Sequence, residues 1–163
     1  MKVTLTKYAH YNCWANQQIL EVIYNLTDEQ IHQEVISSFP SIYKTVLHML
    51  DAEAIWWQRL KLVEVVEVPS ATFNGTIMEL GNTWVRQSKQ IKEWVDLAVA
   101  GTFTHEFSYM TSKKVRFKQP VYEVLMHLFN HQTYHRGQLV TLLRQTGCTA
   151  IPNTDMINFL RKK

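Results

Sequence analysis

His131 and His135 stand four residues apart in the stretch VYEVLMHLFNHQTYHRGQLVTLLR, Val121 to Arg144, and four residues is about one turn of an α-helix. At that spacing two imidazoles point the same way, one above the other, as a pair of ligands converging on a metal ion must. His127 extends the ladder by one more turn. The apolar residues Val121, Val124, Leu125, Leu128, Leu139, Leu142 and Leu143 recur at spacings of three and four and form a stripe facing a core. The histidine pair falls on or beside that stripe. Polar ring atoms there must be satisfied, and successive imidazoles are hard to satisfy with hydrogen bonds alone. A metal ion would do so; the alternative is a set of satisfied core histidines. Gln132 stands where a His-Glu-x-x-His protease carries its glutamate, which argues against that chemistry.

Two ligands on one rod need a third from another, and a second strongly helical segment carries His48. That segment, Ile42 to about Leu62, starts after Pro40 and Ser41. Its stripe runs through Ile42, Val46, Met49, Leu50, Trp57 and Leu60, while Leu47, Ala54, Ile55 and Trp56 spread hydrophobicity around the cylinder. By angle His48 falls away from the stripe, so periodicity alone reads it as a partly buried histidine satisfied by hydrogen bonds.

The remaining elements follow from the same signals. Tyr8, Tyr11, Trp14 or Ala15, Ile19, Val22 and Ile23 give a first long helix from Thr6, as N-cap, to about Asn25, with Asn12 and Asn16 on its solvated side. Thr27 and Gln30 have the form of a capping box over a short helical turn, ended by Ser37, Ser38 and Pro40. Val63 to Gly75 reads as a long loop. Thr76 caps a third long helix through Ile77, Leu80, Trp84 and Ile91, closed by Gly101. Phe103, His105, Phe107 and Tyr109 alternate, as do Val115 and Phe117 after the polar turn at Thr111 to Lys113, which predicts a two-stranded hairpin with His105 on a strand surface. Pro120 opens the histidine-bearing helix, Gly147 follows it, and a short helix lies near the end with Asp155 at its start.

Composition sets the frame. At 163 residues with 46% hydrophobic and 12% aromatic content, 5 Gly and 4 Pro, the chain reads as one domain, residues 1–163, able to bury a large core. Four long amphipathic helices then make an all-α four-helix bundle, with the small β-hairpin between helices 3 and 4. The net charge of +3 is mild. Lys113, Lys114, Arg116, Lys118 and the tail Arg161, Lys162, Lys163 lack the dense stripe a nucleic-acid partner needs, so none is expected. Cys13 and Cys148 share no metal-like spacing, no secretory segment is evident, and nothing approaches membrane-span length. A reduced, cytoplasmic protein with no membrane association is the expectation.

The stretches YNCWANQQIL, HMLDAEAIWWQRL and HLFNHQTYHRGQLVTLLRQTG together resemble the DinB family of damage-inducible bacterial proteins. The resemblance runs from Tyr8 to Leu160, and NHQTYHRGQ is its specific part. The wider superfamily includes bacillithiol S-transferases and mycothiol-dependent maleylpyruvate isomerases. The resemblance implies an up-down-down-up bundle, with residues 63–75 as the crossover, and a divalent metal, zinc or nickel, held by His48, His131 and His135. It further implies a homodimer linked to stress response, and a metal-dependent enzyme acting on a small-molecule substrate: an S-transferase using a low-molecular-weight thiol, or a related transfer or hydrolysis. The alternative is a non-catalytic metal-binding stress protein or interaction module. Asn130, Tyr134 and Gln138 are candidates to orient the ligand rings, against ordinary helix surface. His127 is a candidate catalytic acid or base, or pocket wall, against a satisfied core histidine. Arg136 reads as structural, and Gly137, inside a helix, as a site of close helix approach.

Overall fold

Helix signals written in the caps are used where they were read, except at Thr6 and Gly101. In the computed structural model, which describes residues 1–161, α1 (Lys2–Ile23) starts at Met1 without a side-chain cap, and Thr6 lies inside it. The burial of Leu5 beside Ala9 outweighs the local preference of Thr6 for a cap and carries the helix upstream. Lys162 and Lys163 of the basic tail lie outside the described residues. Thr27 and Gln30 form the reciprocal capping box of α2 (Asp28–His32), with bonds of 3.2 and 3.0 Å. The Ser41 hydroxyl accepts from the Lys44 amide to start α3 (Ile42–Leu60).

The long loop contains one 3₁₀ turn, Pro69–Ala71. It is pinned to α3 by the Ser70 amide donating to Asp51 (2.8 Å) and by the Tyr43 hydroxyl donating to the Gly75 carbonyl (2.7 Å). A Thr76–Glu79 capping box opens α4 (Ile77–Leu97), which ends before Gly101. The chain instead makes a 3₁₀ turn at Ala100–Thr104 that buries Phe103 completely, a larger apolar gain than another helical turn offers. The hairpin of β1 (Glu106–Met110) and β2 (Arg116–Pro120) is antiparallel with Tyr109 opposite Phe117. His105 precedes β1 and is exposed; its carbonyl accepts from the Val121 amide at the start of α5 (Val121–Gln145). A last helix, α6 (Met156–Arg161), rests on α1 through Phe159 against Tyr11 and Trp14.

Side-chain pairs give the directions of the bundle. His10 meets Asp96 and Asn16 meets Ser88, so α1 and α4 run antiparallel. Tyr8 stacks on Phe129 and Asn12 meets Arg136, so α1 and α5 run parallel. Glu53 meets Ser88 and Trp57 meets Trp94 along parallel α3 and α4, while His48 meets His131 and Trp56 meets His127 across antiparallel α3 and α5. This is the up-down-down-up connection. Among the described residues no helix is long and apolar enough to cross a membrane.

The core is divided. One apolar cluster centres on Ile19, Met49, Leu50, Trp84 and Leu142, another on Leu5, Ile91, Phe103, Leu125 and Leu128. Between them lies a polar belt with members from all four long helices. Asn12 and Asn16, expected on a solvated side, are buried within it, because each amide both donates to Glu53 and accepts from Arg136. Ser88 donates to the other Glu53 oxygen at 2.7 Å. Such a network holds only if nearly every member is satisfied, so it fixes helix rotation at mid-bundle. The close helix approach expected at Gly137 lies elsewhere. An added Cβ at Gly137 would meet nothing within 4 Å, whereas one at Gly81 would lie 2.1 Å from the Tyr24 hydroxyl, so the close approach is at Gly81.

Candidate metal centre

His131 and His135 extend from α5 at the level of the polar belt, and Arg136 between Asn12 and Asn16 sets the rotation that aims them at α3. His48 reaches them from α3. Its angle from the apolar stripe was misleading because α3 is covered on several sides, with Tyr43, Thr45, Val46, Leu47, Met49 and Leu50 all buried. A stripe does not define the rotation of a helix that is buried nearly all round. The Gln132 amide adds a registration contact, donating to the Met49 carbonyl at 2.8 Å.

The three side chains converge. The Nε2 atoms of His48 and His135 each lie 3.2 Å from that of His131, and one ligand atom from each residue lies within 4.8 Å of the others. Nitrogens bound tetrahedrally at about 2.0–2.1 Å from zinc would be separated by about 3.3 Å. Hydrogen bonding alone does not satisfy the cluster. Gln138 Oε1 accepts from His135 Nδ1 at 2.7 Å, which places the lone pair of that ring on Nε2. His131 Nε2 can donate to only one of its two neighbours, and its Nδ1 is buried without a partner. A cation at the common point would use all three lone pairs, so the residues fit a metal.

The electrostatics agree. Burial, then the neighbouring His135, His48 and His127, lowers the pKa of His131 to about 4. Burial and His135 lower that of His48, and burial lowers that of His135 against the opposing Gln138 bond. Neutral imidazoles at pH 7 are the form that ligates. Gln138 is itself held by donating to Ser38 (3.1 Å) and to the Tyr134 hydroxyl (3.2 Å), so both act behind His135. Asn130 does not: it is exposed and lines an apolar groove of about 830 Å³ with Tyr122, Met126 and Phe129.

His127 stands beside the cluster rather than in it. Its ring centre is 5.9 Å from that of His131 and 5.4 Å from that of Trp56, and the side chain reaches the surface. Partial burial of the ring and the Arg59 guanidinium lower its pKa. Phe39, which sequence reasoning missed, stacks on His48 at 4.0 Å and meets His135 edge-on. Only its position just before Pro40 marked it, and a loop residue has no periodicity to read. Glu53 was missed too, although a carboxylate followed at once by Ala54, Ile55, Trp56 and Trp57 is a legible anomaly.

The chain matches the family model described as "DinB family" over residues 1–162. It is 30% identical to Protein DinB of Bacillus subtilis (strain 168), an alignment covering 90% of this chain and 88% of that one. It is 28% identical to the uncharacterised protein YrdA of the same organism, covering 83% and 77%. Its fold is similar to that of a DinB-like protein from Bacillus cereus ATCC 10987, with a TM-score of 0.70 and 23% identity over 88% of this chain and 91% of that one. A DinB-like protein of Bacillus subtilis, YjoA, aligns with a TM-score of 0.69 and 14% identity over 91% and 96%. With its bundle and the histidines brought to one point by two of its helices, the chain belongs to the DinB family.

Proposed function

We propose that the protein is a divalent-metal-dependent enzyme that activates a low-molecular-weight thiol for transfer to an electrophilic small molecule, with His48, His131 and His135 as the ligands. The observation that carries this reading is the convergence of three Nε2 atoms at spacings a metal requires. The all-imidazole set suits zinc or nickel. When bound, such an ion supplies Lewis acidity that lowers the pKa of a thiol or water at its open position.

The chain's own groups do the rest. Gln138 holds His135 in the ligating tautomer, and Phe39 covers one face of His48. His127, neutral and one helical turn from His131, is placed to accept the thiol proton. The sulfur then bonds to the electrophilic carbon, and the leaving group departs with its electron pair. The resemblance to the family supports a single domain working as a homodimer in the cytoplasm during stress.

The test has two parts. Metal analysis of the purified protein should give one ion per chain, lost in His131→Ala. A screen of small thiols against a chromogenic aryl halide should then show turnover that falls about 10²- to 10⁴-fold in His127→Ala, the usual contribution of one proton carrier. Stoichiometric metal without turnover for any thiol would leave a metal-binding protein and refute the enzyme.

A further inference from the structure

We propose that Arg59 is an anion-binding residue beside the three histidines, receiving a carboxylate of an extended substrate whose thiol reaches them. The inference rests on the thiol reading above, but its observations are separate. The Arg59 guanidinium carbon lies 4.5 Å over the ring of Trp56 and 5.3 Å from the centre of the Tyr109 ring. Its Nε is buried and has no hydrogen-bond partner, and among the described residues no carboxylate lies within ion-pairing reach of it. A guanidinium carries five N–H donors in a planar fork suited to a carboxylate. Contact with ring faces satisfies the charge in part but none of those donors.

Its place gives the ligand its shape. The ring of Trp56 stands edge-on to His127 at 5.4 Å, and His127 is 5.9 Å from His131, so a row of rings links the metal cluster to Arg59. Along α3 the rise from His48 to Arg59 is about 16 Å, and the arginine side chain leans back toward the helix N-terminus. The backward lean shortens that rise to a span that a small peptide-like thiol can bridge. Past Tyr109 the hairpin turn adds Lys113, Lys114 and Arg116, none of which has an acidic partner among the described residues. Only Lys118 of that cluster is paired, with Glu106 at 2.8 Å. An anionic ligand is therefore drawn to this end of the row of rings. The competing role for Arg59 is a clamp that ties α3 to the hairpin through two aromatic faces.

The clamp and the subsite part company over ligand charge. Cobalt-loaded protein titrated with glutathione and with glutathione diethyl ester, followed by thiolate-to-cobalt absorption, compares one thiol with and without its carboxylates. Wild type should bind the acid about tenfold more tightly than the ester. Arg59→Met, checked for native helicity and metal content, should bind both with the ester's affinity, and Arg59→Lys should recover only part of the difference because it lacks the fork. Equal affinities in wild type, or an unchanged preference in Arg59→Met, would overturn the subsite. A second arm needs no metal: S-methylglutathione should shift the Arg59 Nε–H resonance, identified by its loss in Arg59→Met, while its diethyl ester should not. No thiolate absorption with a positive resonance shift would remove the thiol chemistry and keep the anion site; no shift would remove the anion site.

Discussion

Glu53→Gln probes the polar belt that sets the rotation of α5 and hence the direction of its histidines. Glu53 is 0% exposed, and burial raises its pKa from 4.5 to about 7 against the opposing effects of Ser88, Asn12, Arg136 and Asn16. A carboxyl whose folded pKa exceeds its unfolded value binds its proton more tightly in the native state. Its contribution is fully present below pH 4.5 and is lost as pH rises through about 7. A rise from 4.5 to about 7, at 1.36 kcal/mol per unit, corresponds to about 3 kcal/mol of stability lost between the two limits. Glutamine keeps an oxygen to accept from the asparagines and an amide to meet Ser88, but does not titrate. Urea unfolding of metal-free wild type and Glu53→Gln at pH 4.5 and pH 8 isolates the effect, since histidine titration is common to both proteins and cancels. Wild type should lose about 3 kcal/mol relative to the variant across that interval. A difference that stays constant with pH would mean that Arg136, reaching Glu53 through the two asparagine amides, keeps the carboxyl ionised as in water, and would refute the reasoning.

The other predictions concern single contacts. Gln138→Ala removes the acceptor for His135 Nδ1 and should weaken metal affinity about 10- to 100-fold without unfolding the bundle, read by competition with a chromogenic chelator. Gly81→Ala should destabilise by about 1–3 kcal/mol, because its Cβ would press on Tyr24 and on the fully buried Leu20. Gly137→Ala, open on all sides, should stabilise by up to about 1 kcal/mol through helix propensity. Thermal melts of the two variants should therefore move in opposite directions, by about 2–4 °C per kcal/mol.

What could be read in the sequence was local or repetitive. The capping residues Thr27, Ser41 and Thr76 and the alternation around Phe107 and Tyr109 act within a few positions, and they place the elements well. The histidine ladder on α5 was legible for the same reason. Rotation about a helix axis is a tertiary property. His48 pointed the wrong way by periodicity because α3 is covered on several sides, and the family resemblance rather than the pattern assigned it. Asn12 and Asn16 were read outward because polar residues on amphipathic helices usually face water; their partners lie 41 and 124 residues away for Asn12, and no short window contains them. Gly81 and Gly137 look alike in sequence, and only the neighbour across the groove, Tyr24, tells them apart.

The measurement that bears most directly on the three-histidine centre is X-ray absorption on zinc-loaded protein, together with elemental analysis. It should show one ion per chain with three imidazole nitrogens at about 2.0–2.1 Å, and His48→Ala should lose one imidazole from that shell or the ion altogether. An ion that washes out of the wild type on desalting, or a shell unchanged in His48→Ala, would contradict it.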